Sequence, residues 1–299
     1  MMTEVSRAGL VSLIGKTNVG KSTLLNNLIE SKISITSRKP QTTRQRLLGI
    51  KTIGKKQIVF VDTPGFHKGQ KRKLNKLMNK VSLSSIDGVD VVLFVVDPLG
   101  FSEVDQYLLN QVPKDAPNII LVINKIDKVK RKSNLMPFIE TISKKFNFSE
   151  VIPISALKKQ NIPVLEKEII SRLPRGEHLF PGDQISDCSE RFLVSEIIRE
   201  KCISRVGDEL PYRLTVVTES FKEEKSIVNI DANIFVEKNS QKGILIGQQG
   251  KKLKSIGIAS RIDLETFLNK KVMLRLWVKV KKDWTNDNNA IHSLGLKIV

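Results

Sequence analysis

Short apolar runs separated by longer stretches of mixed polarity set the rhythm of the first 180 residues. Runs at 10–14, 58–61, 119–123 and 151–152 are brief and almost uniformly apolar, as expected of strands buried on both faces. Amphipathic stretches such as 22–29 lie between them and predict helices. This alternation predicts an α/β domain built on a mainly parallel sheet, with ligand loops gathered at the carboxyl ends of its strands. The rhythm breaks at 173–182, where two Pro and two Gly mark a linker. Beyond it, a helix is expected over 190–204 and strands over 214–218 and 227–230. Strand character continues weakly through Ala232, Ile234 and Val236. Two helical pieces flank Gly247-Gln248-Gln249-Gly250, and a strand over 272–280 closes a smaller α+β unit of order α-β-β-α-α-β. The expected division is a first domain at 1–175, a linker at 176–188 and a second domain at 189–299.

The strand ends carry the chemistry. Gly15-Lys16-Thr17-Asn18-Val19-Gly20-Lys21-Ser22 follows the first strand and opens a helix at Ser22 and Thr23. Two glycines at this spacing, followed by Lys and a hydroxyl residue, make a loop whose N–H groups cradle a polyphosphate. Lys21 can reach the β- and γ-phosphates, and the Ser22 hydroxyl can ligate Mg²⁺. Asp62-Thr63-Pro64-Gly65 ends the second run; Asp62 can hold Mg²⁺ through water and the Gly65 N–H can bind the γ-phosphate. Asn124-Lys125-Ile126-Asp127 ends the third. One carboxylate there, Asp127, can accept both of guanine's adjacent donors, a pair that adenine lacks. Asn124 is placed to tie this loop to the phosphate loop, and the Lys125 stem to cover the base. Ile154-Ser155-Ala156 offers a backbone N–H for the guanine O6. Four such segments in this order, each at a strand end, specify a GTP/GDP site.

These residues resemble the GTPase superfamily, and further segments are similar to its Era subgroup. The segment Lys39-Pro40-Gln41-Thr42-Thr43-Arg44 resembles the first switch of that family, where a Thr senses Mg²⁺; either Thr42 or Thr43 fits that role. Segments 187–192, 209–212, 276–280 and 293–295 extend the resemblance to nearly the whole chain. Thr17 stands where many relatives have Pro, and a few residues trail past Gly295. The resemblance implies GTP hydrolysis, a catalytic set of Lys21, Thr42, Thr43, Asp62 and Gly65, and action on the 3′ end of small-subunit ribosomal RNA during 30S subunit maturation. It also implies a cytoplasmic, monomeric protein with weak peripheral association at the inner membrane surface. Phe66 follows Gly65, where other GTPases place a water-orienting Gln, so slow intrinsic turnover is expected. Relatives with an apolar residue there include some that recruit a monovalent cation. Asn18 occupies the position that marks them, so K⁺ held by Asn18 and carbonyls near Gln41 is a candidate.

The second unit resembles a type II KH domain, whose Gly-x-x-Gly loop clamps single-stranded RNA. Gly247, Gln248, Gln249 and Gly250, with Lys251, Lys252 and Lys254, are the candidate RNA contacts. Charge supports a polyanionic partner there. The net charge is +19, and residues 238–282 hold 12 basic and 2 acidic side chains, whereas 181–237 hold 7 and 12. Residues 1–180 are basic too, with 30 against 15, so part of the excess is general. Trp277 and Trp284 suit either base stacking or core packing, and Lys279, Lys281 and Lys282 either RNA contact or a solvated strand face. Cys188 and Cys202 suit neither a disulfide framework nor a zinc site. No apolar run approaches the ~18 residues of a membrane span. Two rival readings stay open: an RNA-binding assembly factor that only senses nucleotide, and a membrane-surface signalling GTPase using its basic patch on anionic lipid.

Overall fold

The computed structural model describes residues 5–37, 43–66, 73–113, 118–131, 133, 135–207 and 209–296. They divide into two compact units. Most of the chain up to Asp187 forms the first; 188–296 form the second, together with 34–37 and 73–76.

The first unit is a six-stranded sheet flanked by helices. Strands β1 (Arg7–Ile14), β2 (Leu47–Ile53), β3 (Lys56–Asp62), β4 (Val91–Val96), β5 (Ile119–Ile123) and β6 (Glu150–Pro153) lie in the order β2-β3-β1-β4-β5-β6. All neighbours are parallel except β2, which runs antiparallel to β3 at the edge. Every residue of β4 and β5 is buried, as uniformly apolar strands between two helical layers must be. Two strands, β2 and β4, lie outside those read from the sequence. β2 mixes buried and exposed positions because it borders solvent. Gly49 lets it lie close on helix α1 (Lys21–Ile29): a Cβ there would come within 2.0 Å of Ile29 Cδ1. The remaining helices are α2 (Lys73–Ser84), α3 (Glu103–Gln111), α4 (Leu135–Ser143) and α5 (Ile162–Arg172).

The Pro- and Gly-rich stretch is pinned to this unit. Buried Gln57 accepts from the Leu179 and Phe180 N–H groups at 2.8 and 2.9 Å and donates to Phe180 O at 2.8 Å. Further on, Ile50 N–H donates to Ile185 O and Leu48 N–H to Asp187 Oδ1.

The second unit runs α6 (Glu190–Ser204), β7 (Thr215–Glu223), β8 (Ile227–Val236), α7 (Asn239–Ile246), α8 (Lys251–Leu268), β9 (Lys271–Val280) and α9 (Asn288–Ser293). Its sheet has the order β7-β8-β9, antiparallel then parallel. The run at 227–230 and its weak continuation form one ten-residue strand. Helices α6 and α8 cover one sheet face, burying Val194, Ile198, Val228, Ile230, Ile256 and Leu264 in one core. Ser189 caps α6, its hydroxyl accepting from Phe192 N–H. Trp284 belongs to the interior: it is fully buried and its Nε1–H donates to Arg213 O at 3.1 Å. Trp277 does not, being 45% exposed.

Candidate functional site

The phosphate loop joins β1 to α1, and its shape depends on residues that leave no room for side chains. A Cβ on Gly20, where φ is +98°, would lie 2.3 Å from Asn124 Nδ2, and one on Gly15 would lie 2.4 Å from Val95 O. Lys21 is buried inside the loop, its Nζ donating to Gly15 O at 2.8 Å and Lys16 O at 3.0 Å. Desolvation pushes its pKa down from 10.5 to about 8, against the attraction of Asp62 and Asp105. An ammonium held this way is a cation short of anionic partners, and bound phosphates would supply them. The loop geometry and this buried cation fit a nucleotide polyphosphate.

Three hydroxyl and carboxylate oxygens converge beside the loop. Ser22 Oγ and Thr43 Oγ1 lie 3.0 Å apart, and each is 3.4 Å from Asp62 Oδ2. A compact, all-oxygen donor set suits Mg²⁺. Thr43 is thus placed with the candidate Mg²⁺ donors; Thr42 lies outside the described residues, as does Gln41. Thr63 donates to Leu13 O at 3.3 Å, and Pro64 is buried beside it. Gly65 lies against the loop, where a Cβ would come within 2.6 Å of Thr17 Cγ2.

The base-side loops converge on Asn124. Its Nδ2 donates to Val19 O at 2.8 Å, while its Oδ1 accepts from Lys125 N–H and Ala156 N–H at 2.8 and 2.9 Å. Lys125 reaches Asp97 Oδ2 at 2.8 Å and also the carbonyl of Asn18, whose φ is +63°. Ser155 Oγ donates to Asp127 Oδ1, which fixes the carboxylate. The N–H groups of Ile154, Ser155 and Ala156 all have acceptors within the protein. Only that of Ala156 goes to a side chain, so this is the donor most readily shared with a base oxygen.

Two supporting contacts escape the sequence motifs. Lys16 Nζ pairs at 2.7 Å with fully buried Asp105 on α3. The same Asp105 Oδ2 accepts from Ser102 N–H and Oγ–H at 2.8 and 2.7 Å. The Ser-x-x-Asp spacing at 102–105 is a helix-start signal that offered a clue. Phe66 stacks on Tyr107 of the same helix, ring centroids 5.0 Å apart, and no local pattern announces that pairing.

In the second unit, Gly247 and Gly250 have φ of +69° and +74°, and Gln249 between them is also left-handed at +51°. A Cβ on Gly250 meets nothing within 4 Å, so that glycine faces open space, whereas one on Gly247 would strike Lys252 Cβ at 2.7 Å. Lys251, Lys252 and Lys254 occupy the first turn of α8, and Gln248 is exposed in the loop. A groove of about 620 Å³ continues from Gly250 between α8 and β9, lined by Leu253, Lys254, Gly257, Arg261 and Leu276 among others. A basic, glycine-bordered groove with an apolar floor suits a nucleic-acid strand.

Residues 10–125 match the 50S ribosome-binding GTPase family, and 209–285 match the KH domain. GTPase Era of Marinobacter nauticus is 47% identical over 291 residues, covering 97% of this chain and 95% of its own. GTPase Era of Pseudomonas aeruginosa is 48% identical over 290 residues, with the same shares. The chain belongs to the Era family of GTPases. Two solved Era structures each superpose with a TM-score of 0.93 at 40% identity, covering 97% of this chain and 99% of theirs. One is an Aquifex aeolicus Era variant bound to GDP and AlF4⁻; the other is Era with MgGDPNP and nucleotides 1506–1542 of 16S ribosomal RNA. This Era-family chain is accordingly a GTPase, with GTP/GDP and Mg²⁺ as its ligands.

The buried Lys21 sets a pH dependence. Phosphates bind the charged ammonium, so nucleotide raises its pKa above the free protein's value of about 8. Binding therefore takes up a proton above that value. Titration with a fluorescent GDP analogue is expected to give constant affinity below about pH 8 and a loss of up to about tenfold per pH unit above it. An affinity that holds level between about pH 8 and pH 9 would remove Lys21 from the phosphate contacts.

Proposed function

We propose that this GTPase is a nucleotide-controlled clamp on single-stranded ribosomal RNA, acting on the 3′ end of 16S RNA in 30S subunit assembly and maturation. The observation that carries the reading is the Gly247–Gly250 loop, open at Gly250 and continuous with the basic groove. Support also comes from the solved Era complex, which holds that segment of 16S RNA. The protein works as a monomer in the cytoplasm, its basic surface permitting weak peripheral contact with anionic membrane. No helix among the described residues is long and apolar enough to cross a membrane. Gly250→Asp places bulk and negative charge on the phosphate path, yet leaves the GTP site untouched. Its affinity for the 1506–1542 RNA, read by fluorescence anisotropy, is expected to fall at least about tenfold with GTP binding intact. Equal RNA affinity in the variant places the clamp elsewhere.

In the nucleotide site, Lys21 and the loop N–H groups would hold the β- and γ-phosphates, and Ser22, Thr43 and Asp62 would hold Mg²⁺ directly or through water. Mg²⁺, when bound, neutralises charge developing on the phosphate oxygens. The Gly65 N–H orients the γ-phosphate for in-line attack by water. Asp127, held by Ser155, accepts from guanine N1–H and the exocyclic amine. In Asp127→Asn an amide N–H meets those donors, so nucleotide preference is expected to shift from GTP toward XTP in competition titrations. Retained GTP preference excludes the carboxylate from base recognition.

Phe66 cannot polarise water, and its ring lies against Tyr107. The Asn18 carboxamide would help hold a monovalent cation, which would supply positive charge that Phe66 cannot. GTP hydrolysis is expected to run faster in K⁺ than in Na⁺ at matched ionic strength, with the difference abolished in Asn18→Ala. Identical single-turnover rates in both salts for the unaltered protein would refute it.

A further inference from the structure

Strand β9 is an edge strand whose two faces are chemically unlike. Val272, Leu274, Leu276, Val278 and Val280 turn inward against the helices. Lys271, Met273, Arg275, Trp277 and Lys279 form the opposite, exposed row. Trp277 is 45% exposed and Met273 51%. A large aromatic at such exposure forgoes burial that the same fold grants Trp284 in full. Successive members of the row stand about 6.6 Å apart, twice the rise per residue of a parallel strand. The indole is therefore flanked by a cation on either side.

This row continues the groove rather than standing apart from it. Met273 and Leu276 both line the groove that starts at Gly250, so a strand leaving the groove meets the β9 edge. We infer that single-stranded RNA leaving the Gly-x-x-Gly groove crosses the β9 edge onto the outer sheet face, where a base stacks on Trp277 between Arg275 and Lys279. The proposal rests on the RNA-clamp reading above and enlarges its footprint. Charge complementarity favours RNA: the stretch 238–282 carries 12 basic and 2 acidic side chains. Asp231 of β8, a carboxylate on the outer face, is neutralised by Arg275 in a two-point pair at 2.6 and 2.9 Å. Glu219 of β7 is held by Asn233 Nδ2 at 2.6 Å. A paired guanidinium still presents its flat face for stacking. A lipid surface fits less well, because inserting Trp277 and Met273 would draw that exposed ion pair into a poorly hydrated layer.

The chain has two Trp, and the other is buried, so emission that changes with RNA reports Trp277. The probe is the 1506–1542 segment of 16S RNA, followed by intrinsic fluorescence and, separately, by anisotropy of a labelled copy. The expected result is quenching on titration, lost in Gly250→Asp. Trp277→Ala is expected to bind about five- to a hundredfold more weakly, and Trp277→Tyr, which keeps a stacking ring, to recover most of that loss. The GTPase rate without RNA should be the same in the two Trp277 variants as in the unaltered protein. RNA that binds with Gly250-dependent affinity but equally well to Trp277→Ala overturns the sheet-face site and leaves the clamp standing. Absence of any RNA binding overturns both. A blue shift on phosphatidylglycerol vesicles, with no response to RNA, assigns the row to membrane and overturns the inference.

Discussion

The nucleotide site depends on one buried carboxamide. Asn124 ends β5, yet its three hydrogen bonds reach the phosphate loop, its own loop and the loop after β6. An amide oxygen and an amide nitrogen on one planar group are what such a junction needs. Asp could not donate to Val19 O, and Leu would strand Ala156 N–H and Val19 O in a dry interior at a cost of about 1–3 kcal/mol for each unpaired group. The three loops follow β1, β5 and β6, strands on one side of the sheet with only β4 between β1 and β5, so the parallel order brings together what the carboxamide fastens. The phosphate end and the base end of the site are thereby fastened together, and preorganisation of this kind lowers the cost of ordering a ligand that spans both.

Electrostatics inside that frame oppose burial rather than follow it. Lys21 sits on two carbonyls that accept two of its three N–H bonds without neutralising its charge. Asp62 and Asp105 attract it but do not offset desolvation. The loop thus carries a poorly neutralised cation, and a bound polyphosphate would supply the missing anionic partners.

The nucleotide chemistry was legible because each motif needs particular atoms at a strand end, and no other residue type supplies them. Gly20 is an instance: the φ and the closeness of Asn124 both demand glycine. The element order of the second unit was equally plain, and strand alternation around Leu276-Trp277-Val278 already places the indole opposite its two apolar neighbours. What stayed hidden is tertiary. Nothing near Lys16 in the chain names Asp105, nor does anything near Phe66 name Tyr107, since both partners come from α3 across the sheet. β2 was obscured by its mixed exposure at the sheet edge, and the linker's Pro and Gly did not disclose that Gln57 would fasten it down.

Asp105 carries a consequence of its own. A single carboxylate oxygen accepts from the start of α3 and from the phosphate-loop Lys16. Helix initiation and loop geometry therefore draw on a common acceptor, and their free energies are not separable. A Ser102 substitution and a Lys16 substitution would each redistribute the same hydrogen-bonding capacity, so their effects in a double-mutant cycle should not sum. Through that one oxygen the start of a helix and the loop that would hold the ligand are thermodynamically coupled.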